Sequence, residues 1–224
     1  MIQLSRTGVR LPSEPGWSEM LQEKFSVEHG VLLPNLIAPE IVELLLDLIR
    51  ESQFEVRNYG GVTRELWLPR STAGETLDFL LNNPVFLDSV RQITGVAVNS
   101  FPAGRIYRFA PGEGHYVDWH NDIHATEKRL LAISINLSPT PFEGGELVIR
   151  EAKTNKVVFE YANSGLGDAV IFQVDRSLEH RVSPLRGNNA RTAFAGWFFD
   201  KVNLHTAVRA SSASELYAGS EDAH

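Results

Sequence analysis

Eight short segments of β-type sequence between residues 100 and 199, bounded by Gly and Pro, constrain the fold more than any other feature. The segments are residues 104–109, 115–119, 130–137, 146–150, 156–160, 168–173, 180–183 and 191–199. No helical pattern separates them, so they are expected to pair as antiparallel strands in two packed sheets. We therefore predict a mainly β fold with supporting helices, a double-stranded β-helix (jelly roll) with an N-terminal helical extension.

The N-terminal part of the chain contains helical patterns instead. Apolar residues recur at helical spacing from Pro39 to Gln53, and Pro39 suits the first turn, so a core-packing helix is predicted there. A second helix is predicted from Pro84 to Ile93, ending at Gly95, and a short one from Trp17 to Phe25.

These patterns divide the chain into three parts. We predict a helical and irregular support region at residues 1–98 that packs on the barrel, a β-helix core at 99–203, and a C-terminal tail at 204–224. Residues 55–70 lack a clear period and contain Gly60-Gly61. Two readings of this segment stay open: a loop that closes over a site, or an irregular surface connection.

Composition limits the classes of partner. The chain has 224 residues, 43% of them hydrophobic, which is enough for one domain with a real core. Its net charge of −7 argues against a broad basic surface for nucleic acid, and no apolar run has the length of a signal peptide or a membrane span. We expect a cytoplasmic protein, a monomer or weak homodimer, without nucleic-acid or membrane partners.

The motif His120-Asn121-Asp122, followed at a distance by His180, is the strongest chemical signal. Two imidazoles and one carboxylate on one face of a metal leave three positions open, as in mononuclear non-heme Fe(II) oxygenases. The absence of cysteine restricts any metal to nitrogen and oxygen ligands. In an extended segment His120 and Asp122 point to the same side. Taken alone, His-x-Asp is more often a solvated loop or an ordinary hydrogen-bonded histidine.

The surrounding sequence resembles the prolyl-4-hydroxylase-like branch of the 2-oxoglutarate and Fe(II)-dependent dioxygenases. The resemblance covers about residues 100 to 200. It depends on ordered motifs at Arg105–Gly114, His115–Asp122, Arg129–Leu137, Glu143–Leu147, Gly167–Phe172, His180–Pro184 and Arg191–Trp197. It implies a double-stranded β-helix that binds Fe(II) through His120, Asp122 and His180, with 2-oxoglutarate as co-substrate, O2, and ascorbate as an optional addition.

The resemblance also implies a binding site for 2-oxoglutarate. A basic residue about ten positions after the distal histidine holds the far carboxylate in this family, and Arg191 occupies that position. Arg181 and Arg186 are the alternatives. Tyr107 or Thr192 would give a hydroxyl to the same carboxylate. Trp119 and Trp197 are expected to pack within the barrel rather than to contact substrate.

The activity implied by the resemblance is oxidative decarboxylation of 2-oxoglutarate coupled to hydroxylation of an unactivated carbon. Related halogenases lack the carboxylate ligand, so Asp122 favours hydroxylation. A peptidyl residue such as proline is the leading substrate, and a free amino acid or small metabolite is the alternative. A jelly-roll binding module without catalysis is a third reading, which the triad and Arg191 disfavour.

Overall fold

The computed structural model describes residues 1–59, 62–124, 126–162 and 165–201. These residues form four helices: α1 (Trp17–Glu28), α2 (Pro39–Arg50), α3 (Thr72–Leu81) and α4 (Pro84–Thr94). They also form fifteen strands: β1 (Gln3–Ser5), β2 (Gly8–Arg10), β3 (Gly30–Leu33), β4 (Glu55–Tyr59), β5 (Thr63–Leu68), β6 (Gly104–Phe109), β7 (Tyr116–His120), β8 (Arg129–Asn136), β9 (Glu143–Gly144), β10 (Leu147–Glu151), β11 (Val157–Tyr161), β12 (Ala169–Gln173), β13 (Leu178–Val182), β14 (Leu185–Arg186) and β15 (Arg191–Phe199). None of the described helices is both long and apolar enough to cross a membrane.

Eleven of these strands form one antiparallel sheet. Its order is β11-β10-β13-β7-β5-β6-β15-β8-β12-β3, with β4 paired to β5. The two ends of the sheet approach each other, since a Cβ atom added to Gly30 of β3 would lie 2.9 Å from the ring of Phe159 in β11. The sheet is thus rolled into a nearly closed barrel, and the predicted jelly roll is confirmed.

Residues 55–70 form a hairpin, and both irregular readings of this segment are wrong. β4 and β5 pair in register from Glu55 opposite Trp67 to Tyr59 opposite Thr63. β5 then pairs with β6 and β7, so the hairpin belongs to the barrel wall. Sequence periodicity missed it because the aromatic and basic residues of this segment alternate without a clean apolar face. Gly60 and Gly61 lie outside the described residues.

The N-terminal region contributes more to the barrel than its helices. Besides the hairpin, β3 pairs with β12 at one end of the sheet. α3 was not predicted; its N-cap is Ser71, whose hydroxyl accepts a hydrogen bond from the amide of Gly74. The boundary proposed at residue 98 stays a prediction, and the proposed tail, 204–224, lies outside the described residues.

Strand β15 separates two hydrophobic clusters. Phe194 and Phe198 point toward the helices and contact the ring of Phe101, at centroid distances of 5.9 and 5.1 Å. Ala193 and Trp197 point into the barrel interior. Because side chains alternate along a strand, residues with odd numbers on β15 face the interior, where a site can form.

Helix α3 fixes the start of β6. The carboxylate of Asp78 accepts a hydrogen bond of 2.8 Å from the amide of Gly104, and Asn82 bonds both the amide and the carbonyl of Phe101. Gly104 has no room for a side chain, since an added Cβ would lie 2.2 Å from the ring of Phe194. Burial raises the pKa of Asp78 to about 7, although the Gly104 bond opposes this rise.

This shift predicts a pH-dependent stability. Because the pKa of Asp78 is higher in the folded than in the unfolded state, the folded protein holds its proton more tightly, and the contribution of Asp78 falls as pH rises from about 4 to about 7. Asp78→Asn retains an acceptor for Gly104 without the charge. Between about pH 5 and about pH 8, the free energy of unfolding of the variant should rise relative to wild type by about 1–3 kcal/mol, discounted for partial solvent exposure.

Urea unfolding at both pH values measures this difference. Asp47→Asn is the matched control, because it makes the same substitution at an exposed position on α2, away from the charges that act on Asp78. An equal pH dependence in Asp78→Asn and wild type would show that Asp78 is not the group responsible.

Candidate metal centre

The site begins with the pairing of β7 and β13. His120 and His180 lie directly opposite each other in this pair, and their ring centroids are 4.2 Å apart. An irregularity in the register follows, so that Val117 pairs with Val182 and both Val117 and His120 reach the barrel interior. β7 ends at His120, and Asp122 lies in the segment after it rather than on the same strand.

Asp122 completes a compact triad. Its Oδ1 lies 3.3 Å from Nε2 of His120, and its Oδ2 lies 3.3 Å from Nε2 of His180. One donor atom from each of the three residues lies within 4.8 Å of the other two. Imidazole nitrogens and a carboxylate oxygen are suitable ligands for Fe(II), so these three side chains could hold one ion.

Neighbouring groups orient the donors of the triad. His120 donates from Nδ1 to the carbonyl of Asp118 at 2.7 Å, which leaves the Nε2 lone pair directed at the triad. Asp122 accepts a hydrogen bond of 2.8 Å at Oδ2 from the indole Nε1 of Trp197. Trp197 was expected only to pack in the barrel. Its contact with Asp122 has no local sequence signal, because the two residues meet only in the folded barrel.

The pKa shifts of Asp122 and His180 also suit metal binding. Burial alone would raise the pKa of Asp122, but His180 and His120 outweigh it and lower the pKa well below its usual range. Burial lowers the pKa of His180, with partial compensation by Asp122. Burial would also lower the pKa of His120, yet the bonds to Asp122 and Asp118 raise it. The carboxylate is therefore ionised and His180 neutral at neutral pH.

Arg191 lies on the first position of β15 and is buried, with 2% of its surface exposed. It donates from Nη1 to the hydroxyl of Tyr107 at 2.7 Å, and its Nη2 lies 3.5 Å from the hydroxyl of Ser134. Both hydroxyl residues line the cavity that contains the triad. Gly145 permits this packing, since an added Cβ would lie 2.6 Å from Cδ of Arg191.

The structure does not bring Thr192 to this site. Its side chain lies on the opposite face of β15 from Arg191, where its hydroxyl accepts a bond of 3.0 Å from Arg108. The alternative anchors also lie elsewhere. Arg181 is stacked on Trp119 at 4.7 Å, and Arg186 is exposed and paired with Glu146.

One cavity of about 320 Å³ extends between the triad and the hydroxyl groups that contact Arg191. Its lining includes the triad, Tyr107 and Ser134, together with several apolar side chains: Val117, Leu147, Phe172 and Val182. The β4–β5 hairpin forms part of the wall through Tyr59 and Thr63. The volume lies at the lower end of the range for small-molecule sites.

Comparison with known proteins agrees with this geometry. Residues 104–199 match the model of the 2OG-Fe(II) oxygenase superfamily, where 2OG is 2-oxoglutarate. The matched residues, which include the triad and Arg191, belong to this superfamily, whose enzymes use Fe(II), 2-oxoglutarate and O2. The predicted family is confirmed. No curated protein is significantly similar to the chain in sequence.

Solved structures share the fold at low identity. A prolyl-4-hydroxylase from Pseudomonas putida is 16% identical with a TM-score of 0.63, and the alignment covers 84% of this chain and 100% of that one. A prolyl hydroxylase from Trichoplax adhaerens, in complex with a peptide of hypoxia inducible factor, is 16% identical with a TM-score of 0.61, covering 88% and 97%. The epimerase SnoN from nogalamycin biosynthesis is 13% identical with a TM-score of 0.63, covering 84% of each chain.

The bond between Trp197 and Asp122 predicts an effect on metal affinity. Trp197→Phe keeps an aromatic ring but removes the N–H donor, so Asp122 loses the group that orients it. We expect Fe(II) affinity to fall about 10- to 100-fold. Anaerobic calorimetric titration with Fe(II) measures the change.

Trp119→Phe is the matched control, because Trp119 lies on the same strand as His120 but its indole stacks against Arg150 and Arg181. If both variants bound Fe(II) like wild type, the Trp197 bond would have no part in ligand orientation.

Proposed function

We propose that this protein is an Fe(II)- and 2-oxoglutarate-dependent hydroxylase of an unactivated carbon, with a peptidyl residue such as proline as substrate. One observation carries the proposal: three donors converge within 4.8 Å on the wall of a cavity, and the guanidinium of Arg191 donates to Tyr107, which lines the same cavity. An oxygenase of this kind needs both a metal site with open positions and an anchor for a dianionic co-substrate.

His120, Asp122 and His180 are the proposed ligands. Two neutral imidazoles and one carboxylate would leave a single positive charge on a bound Fe(II), which favours an anionic chelator in the open positions. The carboxylate ligand supports hydroxylation rather than halogenation. Bound Fe(II) with 2-oxoglutarate supplies the oxidising power, while the chain supplies orientation and exclusion of water.

Arg191 is the proposed anchor for the far carboxylate of 2-oxoglutarate. A planar guanidinium can donate two parallel bonds to a carboxylate. The hydroxyl of Tyr107 accepts a bond from Arg191, so Tyr107 can donate its hydroxyl proton to the same anion. Burial of Arg191 strengthens such a contact by excluding water.

A peptidyl substrate is supported by the two prolyl hydroxylases of similar fold, one of which binds a peptide. A free amino acid or small metabolite is the second candidate. The size of the cavity favours this candidate, because a volume of about 320 Å³ must hold both the co-substrate and the reacting group. The β4–β5 hairpin also favours it, because it forms a wall beside the cavity.

The ligand assignment is tested by anaerobic titration with Fe(II) and 2-oxoglutarate. Chelation of the keto-acid to Fe(II) should produce a weak visible charge-transfer band in the wild-type protein. His180→Ala should abolish the band, because two remaining protein ligands hold the ion poorly. A band of wild-type strength in this variant would contradict the assignment.

The anchor is tested by the dependence of that band on 2-oxoglutarate concentration. Arg191→Gln removes a charge-assisted pair of bonds, so the apparent affinity for 2-oxoglutarate should fall about 10- to 100-fold. Arg186→Gln removes the same charge from an exposed position and should leave the affinity unchanged. If Arg186→Gln lowered the affinity instead, the anchor would have to be reassigned.

A further inference from the structure

The wall of the cavity carries two arginines that neither the triad nor the proposed co-substrate anchor uses. They are Arg105 of β6 and Arg129 of β8, which lie on either side of β15 in the sheet. Among the described residues that line the cavity, Asp122 has the only carboxylate, and it belongs to the triad. A molecule in the cavity therefore meets cationic hydrogen-bond donors without a free anionic group beside them.

The guanidinium of Arg129 includes a buried N–H donor that can still accept a ligand as its partner. Its guanidinium lies 3.9 Å over the ring of Trp197, and only 8% of its side chain is exposed. One amino group donates to Glu127 at 3.2 Å, but Nε has no hydrogen-bond partner within the described part of the chain. Buried donors of this kind are rare, because an unmade bond costs free energy that a ligand can recover.

The guanidinium of Arg105 is paired with a buried carboxylate. It makes two bonds to Glu65, of 2.9 and 3.3 Å, and Glu65 is fully buried. Glu65 does not line the cavity, whereas Arg105 does. The two bonds from this buried carboxylate orient the guanidinium of Arg105 at the cavity wall.

Arg129 is independent of the proposed keto-acid anchor. Arg191 is the first residue of β15, whereas Arg129 pairs with Phe199, the last residue of that strand. Arg191 bonds Tyr107 and Ser134, and Arg129 contacts Trp197 and Glu127, so the two arginines share none of these contacts. An anion held by Arg191 would leave Arg129 able to bind a second one.

We propose that the substrate presents a carboxylate to Arg129, with Arg105 as a second donor from the other side of β15. The inference rests on the proposed function, and it narrows the substrate to an anionic class. The carboxylate has two chemical sources: the α-carboxylate of a free amino acid, or an acidic side chain beside the target residue of a peptide. Arg129 is thus a specificity residue that binds substrate away from the reacting carbon.

Matched acids and amides test the inference. The first probe set is the free L-amino acids and their carboxamides. The second is a set of blocked tripeptides centred on proline, with Glu or Gln on one side of it. Each probe is added anaerobically to the protein loaded with Fe(II) and 2-oxoglutarate, and binding is measured from the change in the visible band, without turnover.

We expect at least one acid to bind about 10- to 100-fold more tightly than its amide, as the loss of a charge-assisted bond would give. Arg129→Gln should remove this preference and retain 2-oxoglutarate binding, and Arg129→Lys should restore part of it. Arg150→Gln is the control, since Arg150 stacks on Trp119 at the same 3.9 Å but does not line the cavity. The double variant Glu65→Gln/Arg105→Gln tests Arg105 without leaving a buried charge unpaired.

Equal binding of acids and amides would overturn the inference, as would a preference that persists in Arg129→Gln. A wild-type band that no acid perturbs, up to millimolar concentrations, would also overturn it. These failures differ from failure of the proposed function, in which the wild-type protein would show no band before any probe is added. The first probe set responding alone would identify a free amino acid, and the second alone a peptide.

Discussion

The antiparallel pairing of β7 with β13 is the constraint on which the site depends. It places His120 opposite His180 and so brings together two segments that are sixty residues apart in the chain. The irregular register of this pair turns His120 inward together with Val117, and the chain leaving β7 then carries Asp122 back over both imidazoles. Neither histidine could be moved one position along its strand without facing the wrong side of the sheet.

The barrel also determines where the arginine side chains around the cavity lie. β15 presents Arg191 and Trp197 to the interior and Phe194 and Phe198 to the helices, so the same strand anchors the core and lines the cavity. The small residues between Arg191 and Trp197 on the inner face leave room for ligands. Arg191 therefore lies at the start of the strand, whereas the triad contacts Trp197 and Arg129 pairs with Phe199 near its end.

Much of this arrangement is predictable from sequence because it follows strong periodic or spaced signals. Eight of the ten strands at residues 104–199, the helix that begins at Pro39 and the set of His120, Asp122 and His180 all have such signals. The two-residue strands β9 and β14 do not. The β4–β5 hairpin does not, because its side chains lack a continuous apolar face. Helix α3 does have such signals, since Ala73, Leu77 and Leu81 recur at helical spacing after the N-cap Ser71, so it could have been predicted. Strand pairing and alternation also decide which side chains meet. Thr192 follows Arg191 in the chain, yet alternation along β15 places its side chain on the other face. Trp197 contacts Asp122 only because the barrel brings their two segments together.

Trp197 has two contacts that involve different parts of one side chain. The edge of the indole bonds Asp122, and its face supports the guanidinium of Arg129. A substitution at this position would consequently change both the proposed metal site and the proposed substrate contact. Arg129 makes no bond to the triad. Relatives of this protein that act on other substrates should therefore differ at the position of Arg129 and retain the tryptophan at the position of Trp197.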